Sequence, residues 1–226
     1  MSDPRLRRVV VVGTGTGVGK TRVTRALARA LRRRAPTLAL KPVESGAGGD
    51  ARAFDADNPV AVSPHPRIAL AAALSPHLAA RREGQQFHVK TLVEWIEAAE
   101  QSLALCATTS PYAYSVIETA GGALSPLTPE ARNLDLCIAL DPALLVLVGP
   151  DGLGVLHAMT ATLVALRALG RAPDLVALSA AWSDESTGTN ADELRLLGIA
   201  DPTLVLASGD DDAEPLARAV LSAFRR

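Results

Sequence analysis

The sequence predicts a doubly wound, mainly parallel α/β sheet flanked by helices, and three observations carry the prediction. Short apolar runs alternate with longer segments of helical periodicity. Several of these runs are apolar at consecutive positions, as strands covered on both faces must be. A glycine-rich loop joins the first run to the first helical segment, and strand-helix alternation of this kind reads as parallel α/β. The first strand is expected over 8–12, where Arg8 precedes Val9-Val10-Val11-Val12. A helix over 20–33 follows, and Arg32-Arg33-Arg34 at its end complements the helix dipole. The second strand is expected over 37–41. From Ser45 to Gln86 the pattern is less regular and holds Pro59, Pro64, Pro66 and Pro76, with short helical pieces such as 68–74. A long insertion in a compact domain is more often functional than idle. The helix over 91–107 places Leu92, Trp95, Ile96, Ala99, Leu103 and Cys106 on one broad face. Strands over 115–118, 144–148, 175–179 and 204–207 alternate with helices over 133–140, 155–169, 191–197 and 214–224. In such sheets ligands bind beyond the carboxyl ends of the strands.

The chain has 226 residues and a formal charge of −1, with 48% hydrophobic and 21% charged residues, too apolar for disorder. One domain over 1–226 is expected, because no repeat or linker interrupts the pattern. A near-zero charge argues against nucleic acid, and 3% aromatics against base-stacking platforms. No apolar run reaches bilayer length, so no membrane association and a cytoplasmic location are expected. Cys106 and Cys137 form no C-x-x-C pair and are expected as small buried hydrophobes. Of the 23 basic residues only Lys20, Lys41 and Lys90 are lysines.

The loop reads Gly13-Thr14-Gly15-Thr16-Gly17-Val18-Gly19-Lys20-Thr21. Glycines let the backbone wrap a phosphate, and N–H groups at the helix start point toward it. Gly15, Thr16, Gly17, Val18 and Gly19 are therefore candidate nucleotide-binding residues. Lys20 brings a point charge to the terminal phosphates, and the Thr21 hydroxyl suits Mg²⁺. The strict pattern G-x-x-x-x-G-K-S/T wants glycine at 14, where Thr14 stands one residue after Gly13. The dinucleotide pattern G-x-G-x-x-G fails at Val18. The loop thus resembles the deviant P-loop class. Partition and septum-site ATPases of that class carry a signature lysine five residues before the main one, a position occupied here by Gly15.

Further motifs narrow the resemblance. Lys41-Pro42-Val43-Glu44-Ser45-Gly46 ends the second strand, and Glu118-Thr119-Ala120-Gly121-Gly122 follows the third. Ser75-Pro76-His77, Glu83-Gly84 and Leu153-Gly154-Val155-Leu156-His157 follow in order around them. Together with the loop, these motifs resemble those of the dethiobiotin synthase family over about residues 9–170. The resemblance implies that 7,8-diaminopelargonate takes up CO₂ as a carbamate, ATP phosphorylates the carbamate, and the neighbouring amine closes a ureido ring. It implies catalytic roles for Lys20, Lys41, Thr16 and Ser45. It also implies a Mg²⁺ site of Thr21, Asp50 and Glu118, with Glu118 beside the nucleotide. Asp55 and Asp57 lie close enough in sequence to compete with Asp50. Substrate contacts fall to Lys41, Ser45, Gly121, Leu153, Gly154 and Val155, the last three reaching a partner subunit's site in a homodimer. His77 and His157 are expected to position backbone.

Three departures stand out. Gly17 replaces a frequent acidic residue, Leu156 replaces an asparagine, and Ser179-Ala180-Ala181-Trp182-Ser183 lacks the asparagine that usually contacts adenine. The base preference therefore stays open. Two other functions compete: a partition- or septum-type ATPase switch, and a related ligase acting on another acid. The final helix, with Leu216, Val220, Leu221 and Phe224 opposite Arg218, has a membrane-binding pattern. Asp210, Asp211 and Asp212 before it would be repelled by anionic lipid, which favours packing on the sheet.

Overall fold

The computed structural model describes residues 5–46, 49–55, 58–59, 68–107, 110–141 and 143–225, with only the backbone of Asp55. Its main sheet contains β1 (Arg5–Gly13), β2 (Thr37–Leu40), β5 (Tyr112–Gly122), β6 (Ala143–Pro150), β7 (Leu175–Ser179) and β8 (Leu204–Leu206). These six strands lie in the order β2-β5-β1-β6-β7-β8, and every pairing is parallel. All six predicted strands are present in this sheet. The predicted helices appear as α1 (Lys20–Arg32), α4 (Val89–Cys106), α5 (Asn133–Ala139), α6 (Val155–Ala168), α7 (Asn190–Leu196) and α8 (Glu214–Ala223).

The consecutive valines of β1 explain the layering. Successive side chains of a strand point to opposite faces. Val10 and Val12 join Leu92, Ile96, Leu103, Leu136 and Met159 in one core, beneath α4, α5 and α6. Val9 and Val11 join Leu27, Leu31, Leu216 and Val220 in the other, beneath α1 and α8. All four valines are fully buried, and each such side chain contributes roughly 1.5–3 kcal/mol. The same burial of Leu216 and Val220 seats α8 on the sheet, as its acidic approach predicts. Among the described residues no helix is long and apolar enough to cross a membrane.

The insertion holds structure that periodicity did not resolve. The expected helical piece over 68–74 is instead a strand, β4 (Ile68–Leu70), paired in parallel with β3 (Val43–Ser45). The Gly46 N–H donates to the Leu70 carbonyl at 2.9 Å and extends the pairing by one rung. A three-residue apolar run fits helix and strand alike, and the partner strand decided between them. Two short helices, α2 (Asp50–Asp55) and α3 (Pro76–Arg82), complete the insertion. Asp57, one rival to Asp50, lies outside the described residues, as does the side chain of Asp55. Cys137 is buried as expected, but Cys106 is exposed. It ends α4 beside the exposed Leu105, while Leu103 and Ala107 stay in the core.

One polar cluster crosses the buried layer. Glu100 on α4 is 2% exposed and accepts both Arg8 Nε at 3.0 Å and Arg8 Nη2 at 2.8 Å. The Ser115 hydroxyl donates to the same carboxylate at 2.5 Å, and Arg8 Nη1 reaches the Leu140 carbonyl at 3.3 Å. The cluster thereby joins α4, β1, β5 and the end of α5. Removing one partner of a buried pair strands the other charge, at a cost of about 3–5 kcal/mol. Glu100→Ala should therefore lower the thermal midpoint by about 10 °C in a calorimetric scan. A shift within 2 °C (roughly 1 kcal/mol or less) would show that the cluster carries no net stability.

Candidate active site

Loops and strand ends at the carboxyl edge of the sheet enclose a cleft of about 580 Å³. Its first wall is the glycine loop between β1 and α1. The Thr14 N–H donates to the Val148 carbonyl at 2.9 Å, and the Ala123 N–H donates to the Gly13 carbonyl at 2.8 Å. Those bonds anchor the loop base to β6 and to the end of β5. Gly19 caps α1 with φ +89°, and a Cβ there would lie 2.3 Å from the Ser179 hydroxyl, so only glycine fits. Val18 turns its side chain into the core, leaving its backbone to the loop. Thr16 is exposed at the rim, and its hydroxyl would lie 3.5 Å from a Cβ on Gly121.

The second wall comes from β2 and β3. Lys41 directly follows β2 and is 7% exposed. Its ammonium pairs with Asp50, at the start of α2, and with Glu118 Oε1 at 2.6 Å. Glu118 lies on β5 and is fully buried; the Thr21 hydroxyl donates to the same Oε1 at 3.0 Å. The expected motif after the third strand is in fact its last stretch, because β5 runs on to Gly122 and pairs with Gly13. Ser45 lines the cleft and donates its hydroxyl to the Leu74 carbonyl at 2.7 Å.

Thus Lys20, Thr21, Lys41, Ser45, Asp50, Glu118 and Gly121, drawn from five segments, line one cleft with Thr16 and Gly17. The third lysine, Lys90, is 86% exposed on its side chain and faces Glu94 at 3.8 Å. Leu153, Gly154 and Val155 do not join the cleft. Leu153 is 84% exposed, Gly154 caps α6 with φ +90°, and Val155 is buried in the core.

Several cleft residues escaped the sequence reading. Glu44 is buried, and its Oε1 accepts the Asp50 N–H at 2.8 Å, which fixes the start of α2. Ser125 lines the cleft and accepts the Gly122 N–H at 3.1 Å. Asn133 is fully buried and donates to the Ala120 carbonyl at 2.6 Å and the Gly122 carbonyl at 2.9 Å, bracing the end of β5. Glu44 sits inside the motif at 41–46, where an acid next to Ser45 was the signal the sequence offered. Nothing in the spacing of Ser125 or Asn133 points to the cleft.

The electrostatics follow from burial. Burial lowers the Lys20 ammonium from the ordinary 10.5 to about 8, although Glu118 partly opposes the change. Lys20 donates to the Gly15 carbonyl at 2.9 Å in this state. Burial also disfavours charge on Lys41, but Glu118 and Asp50 outweigh it, and the Lys41 pKa is raised. Burial raises the Glu118 carboxyl above the ordinary range against the pull of Lys41. Glu118 Oε2 is buried without a hydrogen-bond partner among the described residues. An orphan carboxylate oxygen, beside a hydroxyl and a second carboxylate, is a hard-oxygen donor set that suits Mg²⁺.

The fold and this glycine loop with its lysine define a P-loop nucleotide-binding protein. A family profile described as an AAA domain matches residues 7–196. The chain belongs to the ATP-dependent dethiobiotin synthetase family. It is 39% identical to the synthetase BioD of Methylobacterium nodulans over 67% of this chain and 71% of that one. It is 36% identical to the Anaeromyxobacter dehalogenans enzyme over 95% of this chain and 96% of its relative. Solved structures show the same fold at much lower identity. A ParA family ATPase from Chlorobium tepidum aligns with a TM-score of 0.54 at 13% identity, covering 100% of this chain and 94% of that one.

Because its folded pKa lies below the unfolded one, Lys20 costs stability at neutral pH, by about 3 kcal/mol. That cost is present below about pH 8 and vanishes as pH rises toward 10.5. A polyphosphate beside Lys20 restores its charge, so nucleotide binding near pH 8 should take up a proton. Calorimetry in buffers of different ionisation enthalpy should detect about half a proton at pH 8 and almost none at pH 6.5. Lys20→Met should abolish the uptake.

Proposed function

We propose that this chain is the dethiobiotin-forming ligase of biotin biosynthesis, joining CO₂ to 7,8-diaminopelargonate with ATP. The observation that carries the reading is the convergence of Lys20, Lys41, Thr21, Asp50 and Glu118 in the cleft of a chain from the synthetase family. ATP places its phosphates along the glycine loop, where backbone N–H groups and the start of α1 receive them. Lys20 then leaves the Gly15 carbonyl for the terminal phosphates. Thr21, Asp50 and Glu118 would hold Mg²⁺, which supplies charge neutralisation on the phosphate oxygens.

Lys41, held at the strand end by Asp50 and Glu118, would bridge the γ-phosphate and the carbamate oxygen. Phosphoryl transfer depends mainly on positioning and charge, and two lysines at adjacent strand ends provide both. The carbamate oxygen attacks the γ-phosphorus and ADP leaves. The neighbouring amine nitrogen then attacks the carbamoyl carbon, loses a proton, and expels phosphate as the ring closes. Thr16 and Ser45 donate hydrogen bonds to phosphate and substrate, and the Gly121 backbone borders the substrate.

The reading extends to assembly and place. The exposed Leu153, beside the N-terminus of α6, suits a homodimer in which Leu153, Gly154 and Val155 complete the partner's substrate site. The two apolar cores share one sheet, which supports a single domain over 1–226. A cytoplasmic location follows from the reaction. The ATPase-switch alternative has in its favour only distant likeness of fold and lacks its signature lysine at Gly15.

Purified protein given diaminopelargonate, bicarbonate, Mg²⁺ and ATP should yield dethiobiotin by mass spectrometry. ATPase activity stimulated by DNA or lipid, without that product, would favour the switch. Lys20→Ala and Lys41→Ala should each lower turnover by about 100-fold or more with the circular dichroism spectrum kept. Near-normal turnover by Lys41→Ala would remove that residue from the mechanism.

A further inference from the structure

Arg22 follows Lys20 by two residues on α1 and lines the same cleft, beside Ala181. Its Nη1 donates to the Ser179 hydroxyl at 3.2 Å and to the Ala180 carbonyl at 2.9 Å. Its Nη2 donates to the Ala207 carbonyl at 2.7 Å and to the Asp210 carbonyl at 2.9 Å. Both terminal nitrogens are thereby committed to protein acceptors. Those acceptors come from the segments after β7 and after β8, far apart in sequence. Ser179 also presses on the glycine loop, since it is the residue that excludes a Cβ at Gly19. One guanidinium therefore locks two loops to the helix whose first residues hold the phosphate end of the cleft.

The chemistry of a nucleotide locates the other end. A triphosphate along Gly13–Thr21 must carry its nucleoside beyond the start of α1. The side chains of this wall offer little to read a base edge, for Ala181 has no polar group and the terminal nitrogens of Arg22 already have partners. What Arg22 still offers a ligand is its flat face and its methylene stem. A planar guanidinium is weakly hydrated and stacks on π-systems.

We infer that Arg22 is the residue that builds the nucleoside subsite: it positions the loops at 180–181 and 207–210 and presents a plane to the base. This rests on reading the cleft as an ATP site. It assigns the nucleoside half of the affinity to a residue outside the phosphate loop, the paired lysines and the acidic cluster.

The test separates the two halves of the ligand. Dissociation constants for ATP and for inorganic tripolyphosphate, both with Mg²⁺, are measured by calorimetry on wild type, Arg22→Ala and Arg22→Lys. Arg22→Ala should weaken ATP about tenfold, the size of one stacking and positioning contact, and leave tripolyphosphate within about twofold. Arg22→Lys keeps a charge but not the planar fork, so its ATP-to-tripolyphosphate affinity ratio should fall to an intermediate value. If Arg22→Ala does not fold by thermal scan, the fall in that ratio for Arg22→Lys decides. An unchanged ATP constant, or parallel loss of both ligands, overturns the inference. So does a wild type that binds tripolyphosphate as tightly as ATP. A wild type that prefers ATP to tripolyphosphate yet forms no dethiobiotin defeats the proposed reaction and leaves the Arg22 subsite supported.

Discussion

A carboxylate with no exposure to water sits between a hydroxyl and an ammonium, and the working end of this protein is arranged around it. Burying Glu118 on β5 disfavours its charge, and Lys41 at the end of the neighbouring strand supplies the compensation. Neither residue is tolerable alone at that depth, because an unpaired buried charge costs several kcal/mol. The pair also needs Asp50, which is held at the start of α2 by the Glu44 carboxylate. The insertion between β2 and α4, whose strands β3 and β4 form a separate two-stranded sheet, is thus tied to the main sheet through charge.

In this state the protein's own groups occupy both lysines of the cleft. Lys20 rests on a backbone carbonyl and Lys41 on two acids. In the proposed reaction the phosphates would take the place of these partners on the two lysines. The surrounding frame does not share this exchange. Asn133 fastens the end of β5, and Arg8 with Glu100 fastens α4 to the strands below. Rigid strand ends beneath exchangeable charges suit a reaction governed by positioning.

Much of this was legible in the chain. The six strands and six main helices follow from consecutive apolar runs and amphipathic periods. The loop at 13–21 and the motif at 41–46 mark the two lysines that face the cleft, while Lys90 stays on the surface opposite Glu94. Legibility failed where the deciding partner is distant. Residues 68–70 became a strand because 43–45 lie beside them. Cys106 reached solvent while Leu103 and Ala107 took the core-facing positions at the end of α4. Asn133 and Arg22 bear on the cleft through hydrogen bonds to segments 11–13 and 157–188 residues away, and no local spacing encodes those.

By itself the sequence determined the layered parallel sheet, the phosphate loop, its lysine and the family likeness, since all of these rest on periodicity and contiguous motifs. Tertiary structure alone decided that one ammonium is shared by two carboxylates from separate segments. It alone left Glu118 Oε2 buried without a partner among the described residues, and it alone placed Leu153–Val155 outside this chain's own cleft. The physical reason is that charge balance and desolvation depend on distance through space, and a sequence records only distance along the chain.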